Sequence, residues 1–371
     1  MRSIRTTAAA LALGFAVAAC GDQPTAPDPG DPALARGLDG ASPSFDGWPV
    51  FKASELRRAF PGSPCQDAEH RQFDFWVGDW NVFNTSDVPS GTNFVTLELD
   101  GCLVQEHWTA NFNGSQGQSL NTYDAETGLW YQSWVSQSPF GALRTDGGLV
   151  GDEMILTDDD RIGFLSDGST TPLEDEWIWT PEGPDQVRQT GILRAPEIGF
   201  ESSFVGIYKR SDDVQPVDPF EGTACLQGGP GAANRLLDFA LGTWSVAPAD
   251  GGAVLATSTF TSILSGCLMV EEFATLGPHP LRAIAYLYFD ARDRLFHRIW
   301  VDSEGERVEQ AGSFDGGALV LSGIEHGDGA PMLLRTIFEP AQGGGFIVTS
   351  DVSADEGATW MGALDLAYGA E

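Results

Sequence analysis

Phe73-Asp74-Phe75-Trp76-Val77-Gly78-Asp79-Trp80-Asn81-Val82 is answered further along the chain by Leu237-Asp238-Phe239-Ala240-Leu241-Gly242-Thr243-Trp244-Ser245-Val246. Asp, Phe, Gly, Trp and Val keep their places. Leu99-Asp100-Gly101-Cys102-Leu103-Val104-Gln105-Glu106 is likewise answered by Leu264-Ser265-Gly266-Cys267-Leu268-Met269-Val270-Glu271, and Tyr123-Asp124-Ala125 with Trp134-Val135 by Phe289-Asp290-Ala291 with Trp300-Val301. Three blocks in one order at an offset of about 165 residues mark a duplication, far longer than a solenoid repeat, so each copy is expected to be a domain with its own core.

Between these blocks the chain reads as strands. Trp130 to Val135, Trp177-Ile178-Trp179 and Ser203 to Tyr208 carry the β-branched and aromatic bias of sheet. Turn signals separate such runs at 125–128, 146–148, 157–160, 166–168 and 181–184. About eight to ten antiparallel strands per copy suit an up-and-down barrel, whose closure removes exposed edges; a β-sandwich is the alternative. The expected domains are 65–210 and 225–371, joined by an acidic, proline-containing linker at 211–224, with hinge motion between them.

The N-terminus reads as an export signal. Arg2 and Arg5 precede the apolar stretch Ala8 to Ala19, too short to span a bilayer. Val17-Ala18-Ala19-Cys20 resembles a bacterial lipobox, which implies removal of residues 1–19 and acylation of Cys20. Residues 20–62, rich in Pro, Gly, Ala and Asp, read as a flexible tether, with a short amphipathic helix at 52–59 as an exception. The expectation is an exported, lipid-anchored envelope protein, periplasmic or on the outer membrane, touching the membrane only through its lipid.

Cys65, Cys102, Cys225 and Cys267 fall two to a copy, with separations of 37 and 42 residues. Duplication favours Cys65–Cys102 and Cys225–Cys267 among the three pairings, and export supplies the oxidising compartment. The formal charge of −33, from 53 acidic and 20 basic side chains, argues against nucleic-acid partners. Neither a metal nor a cofactor is expected: the cysteines lack metal-ligand spacing, and the Asp158-Asp159-Asp160 run lacks a calcium-loop pattern.

The motif residues, extended by Trp108, Ser119, Asn121, Trp130 and Gln132, resemble a bacterial family catalogued as a domain of unknown function, with a calycin-like barrel related in shape to lipocalins and fatty-acid-binding proteins. The repeated Gly-x-Trp at Gly78 and Gly242 also resembles the lipocalin signature. The second copy follows the pattern more loosely, with Ala285, Leu287 and Phe296 for Ser119, Asn121 and Trp130.

Alternation places Cys102, Val104, Glu106 and Trp108 on one strand face, Ser119, Asn121 and Tyr123 on another, and Trp130, Gln132 and Trp134 on a third. A carboxylate among large apolar groups in both copies calls for a reason. Either Glu106 meets a ligand, or it pairs with an arginine such as Arg144 or Arg282, or it faces outward. The favoured function is binding of a small, largely apolar ligand lined by Glu106, Trp108, Ser119, Asn121, Gln132 and Trp134. The alternatives are a structural module with filled barrels and an enzyme acting on a lipid-like substrate. No histidine recurs across the duplication and no catalytic motif is present, so no catalytic residue is assigned.

Overall fold

The computed structural model describes residues 63–370 apart from 166, 216, 221, 223, 224, 227 and 326–331. The signal segment, Cys20, the tether and the helix expected at 52–59 lie outside the described residues.

Each copy forms a closed ten-stranded antiparallel barrel. The first comprises β1 Gly78–Phe83, β2 Pro89–Glu98, β3 Leu103–Ala110, β4 Gln116–Asp124, β5 Leu129–Ser136, β6 Leu143–Val150, β7 Glu153–Phe164, β8 Thr170–Pro181, β9 Gln186–Ala195 and β10 Phe200–Arg210. The second comprises β11 Gly242–Pro248, β12 Ala256–Ile263, β13 Leu268–Thr275, β14 Arg282–Asp290, β15 Leu295–Asp302, β16 Arg307–Asp315, β17 Ala318–Glu325, β18 Met332–Pro340, β19 Phe346–Ser353 and β20 Met361–Gly369. Within each barrel every strand pairs with its sequence neighbours, and β1–β10 and β11–β20 close the circles. Closure leaves no unpaired edge, and period-two alternation divides each strand between lumen and exterior.

Two expected turns are strand instead. Asp146-Gly147-Gly148 lies within β6, where a Cβ on Gly147 would meet the Ile155 carbonyl at 2.1 Å, so glycine permits close strand approach there. Thr157 to Asp160 lies within β7, where the register with β8 shifts between Asp158 and Arg161, a bulge.

The repeated motifs have mechanical roles. Phe73 and the 3₁₀ turn Asp74–Trp76 cap one end of the first barrel. Phe73 and Trp76 are fully buried and stack at 5.0 Å, with Trp130 and Trp179 edge-on to Phe73 at 5.5 and 5.2 Å. Trp80 Nε1 fastens this cap by donating to the Trp76 carbonyl at 2.8 Å, as Trp244 does to Ala240 at 2.7 Å in the second copy. Gly101 and Gly266 each end a run of three left-handed residues, Leu99–Gly101 and Leu264–Gly266, that carry β2 into β3 and β12 into β13. Glycine tolerates that conformation best, and the next residue is the disulfide cysteine. Cys65–Cys102 and Cys225–Cys267 are both formed, each with Cα atoms 5.0 Å apart, beside the capped ends.

The expected hinge between domains is corrected by the packing. Leu103, Leu120 and Val135, on the outer faces of β3 to β5, share one buried cluster with Leu268, Val270, Ile284, Tyr286, Ile299 and Val301 of β13 to β15. Corresponding faces of the two copies thus meet, as in a two-fold dimer. Cys102 Sγ lies 3.6 Å from the Ser303 carbonyl, Ala291 N donates to the Pro139 carbonyl at 2.9 Å, and Gln137 Nε2 donates to Ser265 Oγ at 3.0 Å. The capped end of each barrel therefore sits beside the uncapped end of the other, and the two uncapped ends point in opposite directions.

Candidate functional site

The inner face of the first barrel is layered. At the capped end lies an apolar plug that includes Trp76, Trp80, Val95, Leu97, Trp130, Met154, Leu156 and Trp179. Above it lies a polar layer centred on Glu106, which is 3 % exposed. Asn93 Nδ2 donates to Glu106 Oε1 and Ser119 Oγ to Oε2, both at 2.8 Å. Asn121 Nδ2 donates to Ser119 Oγ at 2.9 Å, and Gln132 Nε2 to Asn121 Oδ1 at 2.9 Å. Across the barrel seam the Tyr208 hydroxyl donates to Gln189 Oε1 at 2.6 Å and lies 3.4 Å from Asn93 Nδ2.

This layer is incompletely satisfied. Asn93 Oδ1 and Thr145 Oγ1, on buried inward-facing residues, have no hydrogen-bond partner, nor do the indole nitrogens of Trp177 and Trp179. Buried polar atoms rarely stay so, and where they cluster on a lumen face they suit a water or ligand contact. Burial pushes the Glu106 carboxyl up to about 7 against the opposing hydrogen bonds from Ser119 and Asn93. No cation among the described residues offsets that burial.

Toward the uncapped end the inner face becomes aromatic. Trp108, Trp134, Trp177 and Phe204 are half-buried. Three of the indoles lie against glycines on adjoining strands. A Cβ on Gly91 would meet Trp108 at 2.4 Å, one on Gly117 would meet Trp134 at 2.1 Å, and one on Gly191 would meet Trp177 at 2.7 Å. The glycines let the rings lie flat on the wall and keep them from crossing the lumen.

The six residues expected to line a site all face the lumen. Glu106, Ser119, Asn121 and Gln132 form one hydrogen-bonded chain, and Trp108 and Trp134 stand above it. Tyr123 sits lower, 6.0 Å from Trp130 and edge-on to His70 at 5.0 Å. Pairing of Glu106 with Arg144 or Arg282 is not what the fold provides. Arg144 donates to the Tyr288 hydroxyl at 3.2 Å and pairs with Glu309 at 3.3 Å, while Arg282 pairs with Asp100, all across the junction. Sequence reasoning missed Asn93, Thr145, Tyr208, Gln189 and Trp177. Alternation with the buried Val95 and Leu97 is a signal that marks Asn93; the others depend on which strands become neighbours.

The second barrel is built differently. Glu271, the counterpart of Glu106, accepts from Ser258 Oγ at 3.0 Å and pairs with Arg298 at 3.2 Å. The Arg298 guanidinium lies 4.7 Å from the Trp300 ring centre and 5.7 Å from that of Phe338. A groove of about 320 Å³ between the barrels is lined by Asp124, Tyr131, Arg307 and Glu309 among others. Its charges are already engaged, since Arg307 stacks on Tyr131 at 4.3 Å and pairs with Glu309 at 2.5 Å.

His107 and His297 point outward toward the junction, and burial pushes the His107 imidazole down to about 4. Among the described residues no three His, Cys, Asp or Glu side chains are grouped to hold a metal ion. The chain matches no family model and no curated protein, so the family resemblance rests on its motif residues alone.

Proposed function

We propose that the first barrel binds a small, largely apolar ligand bearing one polar group, and that the protein acts as a lipid-anchored carrier or receptor in the bacterial envelope. The observation that carries this reading is the layering of one inner face. A buried carboxyl in a polar layer with unpartnered atoms lies below indoles held flat by Gly91, Gly117 and Gly191. An apolar wall with a few convergent polar groups and one perturbed carboxyl is the usual composition of a small-molecule site. Two disulfides suit an exported protein, and the Arg2 to Cys20 segment supports the lipid anchor.

The second barrel favours a different role. Its carboxylate is paired with Arg298 and flanked by Trp300 and Phe338, so its own side chains occupy the corresponding place. It serves as a stabilising partner packed against the binding barrel. Native mass spectrometry of the full chain, purified from its own envelope, tests both roles. One added mass that disappears in Trp134→Ala is the expected result. A protein that is empty as isolated, and that no envelope lipid extract stabilises, would leave only the structural role.

A further inference from the structure

The two barrels keep the same carboxylate and differ in what stands beside it. Strand registers pair Glu271 with Ala285, Ala285 with Trp300, Arg298 with Gln310 and Leu319 with Phe338. In the first barrel the corresponding pairs are Glu106 with Ser119, Ser119 with Trp134, Gln132 with Thr145 and Met154 with Trp179. Glu106 thus corresponds to Glu271, Trp134 to Trp300, Trp179 to Phe338 and Gln132 to Arg298. The carboxylate and two aromatic rings that surround the Arg298 guanidinium are all retained in the first barrel; the guanidinium is not. Gln132 turns its amide to Asn121, and Asn93 Oδ1 and Thr145 Oγ1 are left without partners.

We infer that the ligand of the first barrel carries a cationic headgroup, an ammonium or guanidinium on an apolar body, seated between Glu106 and the rings of Trp134 and Trp179 as Arg298 is seated on Glu271, Trp300 and Phe338. This rests on the ligand-binding reading above and names the ligand class. A cation over an indole face gains from the ring quadrupole, most where water is excluded, and a buried carboxylate gives a charge-assisted contact. An anionic ligand would meet a buried carboxylate with no cation to offset it. The overall charge of −33 concentrates cations near the protein and repels anions.

Binding a permanent cation ionises Glu106 and releases its proton, so affinity should fall as pH drops below about 7. The titratable groups that feel the Glu106 charge are Tyr208 from β10 and, through the barrel wall, Tyr286 from β14. Asp175, on β8 toward the uncapped end, is paired with Arg161 at 2.6 Å, and burial raises it to about 6. A Glu106 variant separates the two carboxyls.

The test uses the full chain and three probes of one length, octyltrimethylammonium, octanol and octanoate, titrated calorimetrically and by tryptophan fluorescence. At pH 8 the ammonium should bind at least tenfold tighter than octanol, with octanoate weakest. Its affinity should fall about tenfold per pH unit below the carboxyl's midpoint. Glu106→Gln should reduce the ammonium to the level of octanol and flatten its pH dependence. Gln132→Arg, which restores the second barrel's arrangement, should abolish ammonium binding while the thermal transition is kept. Octanol or octanoate binding as tightly as the ammonium, and weakened by Trp134→Ala, would overturn the cation and leave the carrier. Failure of all three probes to bind at millimolar concentration would overturn the ligand-binding reading itself.

Discussion

Gln105 Nε2 of the first barrel donates a hydrogen bond to the Tyr286 hydroxyl of the second at 3.0 Å, and that hydroxyl donates in turn to Gln118 Oε1 at 3.1 Å. Gln105 and Tyr286 are buried in the junction, where the Gln105 amide has no water as an alternative, while Gln118 is half-buried. Tyr286→Phe would leave the buried Gln105 amide short of a partner and should cost about 1–3 kcal/mol. Urea unfolding followed by circular dichroism and fluorescence should show the wild-type barrels melting in one transition. Two separate transitions in the wild-type protein would contradict a tight junction.

The Glu106 carboxyl, raised by burial from its ordinary value of 4.5 to about 7 in the fold, sets a pH dependence of stability. A raised carboxyl pKa means that the folded state holds its proton more tightly than the unfolded chain. Its contribution is therefore greatest below about 4.5 and is lost as pH rises through about 7. Charging the buried group opposes folding by on the order of 3 kcal/mol above that window. Glu106→Gln removes the charge at little change of shape, and the Asn93 amide can turn its free Oδ1 toward the new donor. Denaturation midpoints should favour the variant by a margin that widens from pH 5 to pH 8. A constant margin across that range would show that Glu106 does not titrate there.

Gly117 holds Trp134 to the wall. A Cβ at this position would meet the indole at 2.1 Å, so Gly117→Ala should push the ring toward the lumen at a cost of about 1–3 kcal/mol. Tryptophan emission should shift, and affinity for any lumen ligand should fall at least several-fold. Unchanged emission and binding would mean that the ring's place on the wall is immaterial.

Cys65–Cys102 closes a loop of 37 residues and lies under the second barrel, where a Cβ on Gly305 would stand 3.0 Å from Cys65 Sγ. Replacing both cysteines by alanine should cost about 4 kcal/mol in the chain-entropy description of a loop this size. Under native conditions dithiothreitol should reduce this bond only as fast as the protein opens. Mass-shift labelling that shows reduction much faster than global unfolding would contradict its cover by the second barrel.

Much of the architecture was legible along the chain because its causes are local or repeated. The duplication, the strand-rich pattern and the inner-face sets around Glu106, Ser119 and Gln132 follow from repeated blocks and a side-chain period of two. The two disulfides follow from one cysteine pair per copy. Local signals also misled: Asp146-Gly147-Gly148 and Thr157 to Asp160 carry turn residues, yet serve close strand approach and a bulge. Glycine and aspartate suit each of those uses for the same backbone reasons.

Only the tertiary structure brought Tyr208 of the last strand to Asn93 and Gln189, because closure of β1 on β10 depends on a register kept through the whole barrel. It alone placed Arg298 on Glu271 and left Glu106 without a cation, since which inner-face side chains meet across a lumen depends on barrel diameter and stagger. It alone joined the barrels face to face. Leu103, Leu120 and Val135 read as ordinary outward strand positions until the second copy covers them, because burial against another domain leaves no periodicity of its own in the chain.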